Sequence, residues 1–156
     1  MSASKVKEFF DQVGLGDRVK ELTQSSATVE LAAQALGCEA GQIVKTLTFL
    51  VNREPLMLVC AGNVKVSNQK FKARFQGRPS MIPAEQVPDY TGHEVGGVCP
   101  FAVKEGVPVY LDQSLRANET VFPGAGSSNS LVQLTLEELE EHAKPIAWVD
   151  VCQPIE

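Results

Sequence analysis

Two apolar runs, I-V-K-T-L-T-F-L-V from Ile43 and L-M-L-V-C-A from Leu56, are separated only by the turn-like N-R-E-P and constrain this chain more than any other stretch. Rich in β-branched and large aliphatic residues and bounded by turn formers, they predict two antiparallel strands joined by a short loop. Alternation along the first run puts Ile43, Lys45, Leu47 and Phe49 on one face and Val44, Thr46, Thr48 and Leu50 on the other. A lysine therefore shares a strand face with large apolar side chains. An ammonium so placed snorkels to the sheet edge, binds a phosphate or carboxylate, or shifts its pKa.

The remaining elements follow from periodicity and punctuation. Val6, Phe9, Phe10 and Val13 recur at helical spacing, and Gly14 and Gly16 end that helix. A second helix is predicted from Thr28 to Leu36, with Gly37 at the left-handed C′ position. Ser67–Phe75 and Pro83–Val87 read as short helices. V-P-V-Y-L from Val107, E-T-V-F from Glu119 and S-L-V-Q-L from Ser130 read as strands. Thr135 opens T-L-E-E, a capping box whose N3 glutamate is Glu138, and the closing I-A-W-V-D-V reads as a last strand or edge segment. Helices interspersed with mostly antiparallel strand signals predict an α/β domain: a mixed, largely antiparallel sheet with surrounding helices. At 156 residues without a linker or repeat, residues 1–156 are expected to form one domain, which buries roughly 70% of its unfolded surface.

Charges at Lys5, Lys7, Glu8 and Asp11 leave no room for the apolar core of a signal peptide, and no run approaches a membrane span, so the expected location is cytoplasmic, with no membrane partner. Cys38, Cys60, Cys99 and Cys152 match neither a paired metal motif nor a disulfide framework, and all four are expected to be reduced thiols. No metal or cofactor site is expected.

Three further segments carry possible chemistry. T-G-H-E-V-G-G-V-C-P-F, from Thr91, holds three glycines and a proline, and such a loop supplies either an oxyanion or anion site from its backbone N–H groups or merely a strained connection. Within it, Cys99 and His93 form a conceivable nucleophile and base. F-P-G-A-G-S-S-N-S, from Phe122, lacks the ending of a Walker loop and the helix a dinucleotide fingerprint requires. It reads as a strand connection or as hydroxyls and an amide lining a small-molecule pocket. V-K-V-S-N-Q-K-F-K-A-R-F-Q-G-R carries Lys65, Lys70, Lys72, Arg74 and Arg78 without an acidic residue, with Phe71 and Phe75 placed to anchor a helix. That patch suits a phosphate backbone or is simply a solvated face.

In this order and spacing, A-A-Q-A-L-G-C, the strand carrying Lys45, the loop carrying Gly96 and Pro100, and G-A-G-S-S-N-S-L-V-Q-L resemble the YbaK/ProX family of aminoacyl-tRNA deacylases, which includes the editing insertion of bacterial prolyl-tRNA synthetases. The resemblance runs from about Thr28 to Leu139. It implies a single α/β domain that hydrolyses the ester of a mischarged tRNA in trans, with prolyl-tRNA carrying a wrong small amino acid as the foremost substrate. By position, Lys45 is the lysine that holds the 3′-terminal adenosine through its phosphate. Gly96, Gly97, Val98, Cys99 and Pro100 form the Gly-x-x-x-Pro loop that brings backbone N–H groups to the scissile carbonyl. Candidate pocket residues are Thr46, Gly126, Ser127, Asn129 and Ser130, and candidate RNA contacts are the five basic residues above. The implied partners are the acceptor end of a mischarged tRNA and, transiently, a synthetase. A non-catalytic tRNA or nucleotide-binding module and a Cys99-dependent hydrolase are the alternatives.

A net charge of -5 and a pI near 5.1 argue, as totals, against an RNA partner. The excess lies in the segment from Thr135 to Glu156, where Lys144 faces six acidic residues. Residues 1–134 balance, so the expectation is a weak, salt-sensitive contact focused on the acceptor end.

Overall fold

A computed structural model of the chain describes residues 2–22, 28–94 and 96–155; Val95 of the glycine-rich loop and Glu156 of the acidic tail lie outside the described residues. The predicted hairpin is its centre. β2 (Ile43–Val51) and β3 (Glu54–Ala61) pair antiparallel over eight residues, from Val44 opposite Ala61 to Val51 opposite Glu54. Asn52 and Arg53 turn the chain with φ of 51° and 69°, the left-handed pair that a two-residue hairpin loop needs to match strand twist.

Strands from the second half of the chain extend this hairpin. β6 (Val109–Asp112) runs parallel to β3, and β10 (Ala147–Val149) runs parallel to β6. On the other side β7 (Thr120–Pro123) joins β2 in parallel, and β9 (Leu134–Thr135) pairs antiparallel with β7. β5 (Ser80–Met81) also pairs with β2. Two small antiparallel pairs stand apart: β1 (Val19–Glu21) with β8 (Ser130–Val132), and β4 (Val64–Val66) with β11 (Cys152–Pro154). The fold is mixed α/β, and among the described residues antiparallel pairings outnumber parallel ones five to three.

Helices cover both faces. α1 (Ser2–Gln12) and α5 (Leu136–Ala143) lay Val6, Phe10, Leu139 and Ala143 on the face carrying Val44, Met57 and Val59. α3 (Asn68–Phe75) sets Phe71 against Phe49 on the opposite face, beside Leu56, Leu58 and Cys60. α2 (Val29–Leu36) contributes Ala32 to a smaller core with Ile43, Phe122 and Leu131. The caps are those read from the sequence. Thr28 accepts from the Leu31 N–H, Gly37 closes α2 with φ of 68°, and Thr135 and Glu138 exchange both capping-box bonds.

Three expected elements come out divided. Pro83–Val87 becomes a 3₁₀ turn, Ala84–Gln86, followed by α4 (Val87–Thr91). S-L-V-Q-L splits into β8 and β9, because Gln133 bonds the Arg18 carbonyl and the chain crosses from β1 to β7. The closing strand ends at Val149, because the Val151 N–H donates to the buried Asp112 carboxylate and the chain departs to pair with β4. All four cysteines are free thiols, and among the described residues no helix is long and apolar enough to cross a membrane.

Candidate functional site

The site begins with an interruption in the sheet. β2 meets β7 only at Ile43 and Val44, and β5 only at Phe49 and Leu50, with one further bond from the Ile82 N–H to the Thr48 carbonyl. Among the described residues the edge from Lys45 to Leu47 is left without a strand partner. Backbone polar groups alternate sides along a strand. Ile43 sends its carbonyl toward β3, to Gly62, and Thr48 sends its carbonyl to the opposite edge. Thr46 therefore presents both its N–H and its C=O to the open edge.

A cleft of about 450 Å³ occupies this gap, a volume ordinary for a small-ligand site. β2 forms its floor from Ile43 to Thr48, Met81 and Ile82 one wall, Thr28 and Val29 another, and Gly96, Val98, Gly124, Ser127 and Ser130 the roof. Lys45, Thr46, Gly96, Val98, Ser127 and Ser130 are thus brought together out of three separated sequence segments. Lys45 is half-buried, and its Nζ donates to the Val64 carbonyl. Among the described residues no carboxylate meets this ammonium. The Thr46 hydroxyl is buried and lacks a hydrogen-bond partner among the described residues, a condition that costs about 1–3 kcal/mol unless something meets it.

The two glycine loops are stacked backbone to backbone. A Cβ at Gly97 would lie 2.3 Å from the Gly126 carbonyl oxygen and 3.0 Å from the Ser127 nitrogen, so only glycine permits the approach. Gly96 has φ of 90° and Gly126 φ of 98°. The Gly97 N–H closes a turn onto the Glu94 carbonyl at 2.9 Å, whereas among the described residues Gly96 and Val98 donate their N–H groups to nothing. The loop's unengaged donors therefore belong to the two loop residues that line the cleft.

Several candidates lie behind the cleft wall instead. Cys99 and Pro100 are buried away from it, and Gly126 serves as the seat for Gly97. Asn129 is exposed and works as a tie. Its Nδ2 donates to the Leu22 carbonyl and its Oδ1 accepts from Ser127 Oγ at 2.9 Å. With the Ser127 proton so committed, the 2.6 Å contact between Ser127 and Ser130 has Ser130 as donor.

The Cys99 and His93 pair fails on geometry. The Cys99 thiol is wholly buried, and that burial pushes its pKa up to about 12. His93 Nε2 lies 3.8 Å from Sγ, but it is 2.7 Å from the Phe101 carbonyl, which can only accept. The ring nitrogen nearest the thiol therefore carries a proton, and burial lowers the imidazole pKa further. No base faces Cys99.

The basic segment does not enter the cleft. Phe71 and Phe75 anchor α3 to the sheet, as predicted, through the Phe49 ring at 5.2 Å and the Tyr110 ring at 4.9 Å, and the charges point outward. Lys70 is tied to Asp150 and to the Cys152 carbonyl, each at 3.1 Å, and Arg74 lies over the Phe75 and Tyr110 rings. Lys65, Lys72 and Arg78 are exposed, with Lys65 directly following the residue whose carbonyl holds Lys45. The acidic helix α5 contributes nothing to the cleft. Met81, Ile82 and the open edge of β2 escaped the sequence reading, because the two-residue strand β5 has no periodicity to detect. Among the described residues no three His, Cys, Asp or Glu side chains converge as a metal site requires.

Fold and cleft define an α/β domain with a cleft made from a lysine, hydroxyls and exposed backbone. The model of the aminoacyl-tRNA editing domain matches residues 23–142, and the chain belongs to that family, one of aminoacyl-tRNA deacylases. It is 41% identical to the uncharacterized protein YwhH of Bacillus subtilis over 98% of each chain. It is 34% identical over 113 residues to a proline–tRNA ligase of Limosilactobacillus fermentum, covering 68% of this chain and 20% of the ligase. A crystal structure of a proposed trans-editing enzyme for prolyl-tRNA synthetase superposes with a TM-score of 0.86 at 30% identity, covering 97% of each chain.

Proposed function

We propose that this protein is a trans-editing deacylase that hydrolyses the ester of a mischarged tRNA, foremost prolyl-tRNA carrying a wrong small amino acid. The observation that carries the reading is the meeting of Lys45, the open edge at Thr46 and the unengaged N–H groups of Gly96 and Val98 in one cleft. An aminoacyl ester is already activated, so its hydrolysis needs positioning, oxyanion donors and a water. Water adds to the ester carbonyl, the oxyanion forms against Gly96 and Val98, and collapse expels the 3′-oxygen, which takes a proton to give free amino acid and intact tRNA. The tRNA's own 2′-hydroxyl orients the water.

Lys45 clamps the terminal phosphate or ribose, exchanging the Val64 carbonyl for a ligand oxygen. Ser127 and Ser130 offer hydroxyls to the aminoacyl end, and Lys65, Lys72 and Arg78 offer outward charge to the acceptor strand. Kinship with the ligase and with the proposed prolyl-tRNA synthetase partner enzyme supports the choice of tRNA. Lys45→Ala is expected to lower kcat/KM on mischarged tRNA by about 10- to 100-fold, the scale of a hydrogen bond to a charged group. A near-wild-type rate measured for Lys45→Ala would overturn the assignment.

A further inference from the structure

The loop that supplies Gly96 and Val98 is held from behind, at a place the reaction never touches. His93 is fully buried, and its Nε2–H donates to the Phe101 carbonyl at 2.7 Å, joining the two ends of the loop across eight residues. Thr91 seats the entry. Its hydroxyl donates to the Val87 carbonyl at 2.8 Å and accepts from the His93 N–H at 3.0 Å, and its own carbonyl accepts from the Lys104 N–H. Cys99 Sγ packs 3.8 Å from both the imidazole and the same carbonyl.

α1 covers this latch. The Phe10 ring meets the Phe101 ring edge-on at 4.8 Å, Phe9 lies 6.2 Å away, and Lys5 Nζ reaches the Gly92 carbonyl at 3.2 Å. α1 lies wholly outside the segment that the family model matches. Among the described residues His93 Nδ1 is buried without a hydrogen-bond partner, so the imidazole acts through Nε2, whose short bond is the one to Phe101.

We propose that His93 is a positioning residue: its hydrogen bond to Phe101, covered by α1, fixes the loop path that aims Gly96 and Val98 into the cleft. The inference rests on the reading of that loop as the oxyanion site. A loop released from the latch still binds tRNA through groups elsewhere but no longer presents its donors in register, so the loss falls on kcat.

The experiment compares His93→Leu, His93→Gln and His93→Asn in the full chain, using tRNA(Pro) charged with the amino acid that the wild type releases fastest. Glutamine carries an N–H donor about as far from the backbone as Nε2, and asparagine falls short of it. His93→Leu is expected to lose at least tenfold in kcat with KM within about twofold, His93→Gln to return to within about threefold of wild type, and His93→Asn to resemble His93→Leu. In parallel, hydrogen exchange at the Gly97 and Lys104 amides, both bonded within the loop region, should quicken at least tenfold in His93→Leu while β2 and β3 keep their protection. Wild-type kcat and exchange in His93→Leu, or no difference between His93→Gln and His93→Asn, overturns the proposal. If His93→Leu does not fold, the glutamine and asparagine pair decides. If the wild type releases no amino acid from any tRNA, the deacylase reading fails, and the exchange measurement still decides the latch.

Discussion

At Cys99 a reactive residue type has been placed where it cannot react. Burial pushes its pKa up to about 12, so the thiol stays protonated at neutral pH, and no base faces it. Cys99→Ala should keep deacylase activity within about threefold, and iodoacetamide should leave the wild-type rate unchanged; loss of activity with either would restore the thiol to the mechanism. The sequence told Lys45 from Cys99 by context. A lysine among Ile43, Leu47 and Phe49 on one strand face is anomalous, whereas a cysteine before a proline in a glycine-rich turn is ordinary. It could not tell that Val98 lines the cleft while Cys99 does not, because that depends on the path imposed by φ of 90° at Gly96 and the close seat of Gly97.

The two glycine loops act as one element. Gly97 rests on Gly126 and Ser127, and Gly96 lies over Ser128, so the roof of the cleft is a backbone sandwich rather than a side-chain cluster. Gly97→Ala drives a methyl group into a carbonyl oxygen that cannot swing aside. An insertion of this kind costs about 1–3 kcal/mol, several degrees of thermal midpoint at this chain length. The expected result is a lower Tm together with at least a tenfold loss of deacylation; an unchanged Tm measured by calorimetry would show that the loops are not in this contact. Each loop was legible by composition, but their contact was not, since Gly97 and Gly126 stand 29 positions apart and no pattern in either names the other. The hairpin, both helix caps and the capping box were legible because each is a local matter of periodicity and a few hydrogen bonds. The parallel pairings of β6, β7 and β10, and the division of the two late strands, are decided by partners distant in sequence.

For the molecule as a whole, the arrangement of charge matters more than its total. The acidic residues of α5 sit with α1 on one side of the sheet, Glu138 bound to Arg18 and Glu140 to the Trp148 indole. The cleft opens at the β2 edge, and among the described residues its lining holds no acidic side chain and one ammonium, that of Lys45. A net charge of -5 is therefore compatible with a site that receives a phosphate-bearing end. The proposed function, an ester held by its nucleotide and opened by water, draws on family membership, the interrupted sheet and the backbone-lined roof. That claim is tested most directly by incubating the wild-type protein with tRNA(Pro) charged separately with alanine, serine, threonine, cysteine, 2-aminobutyrate and proline, and measuring free amino acid over time. Release of at least one of the wrong amino acids at a rate well above spontaneous hydrolysis, with prolyl-tRNA(Pro) spared, is the predicted result. Protection of every ester against hydrolysis would contradict it and mark the protein as a binder.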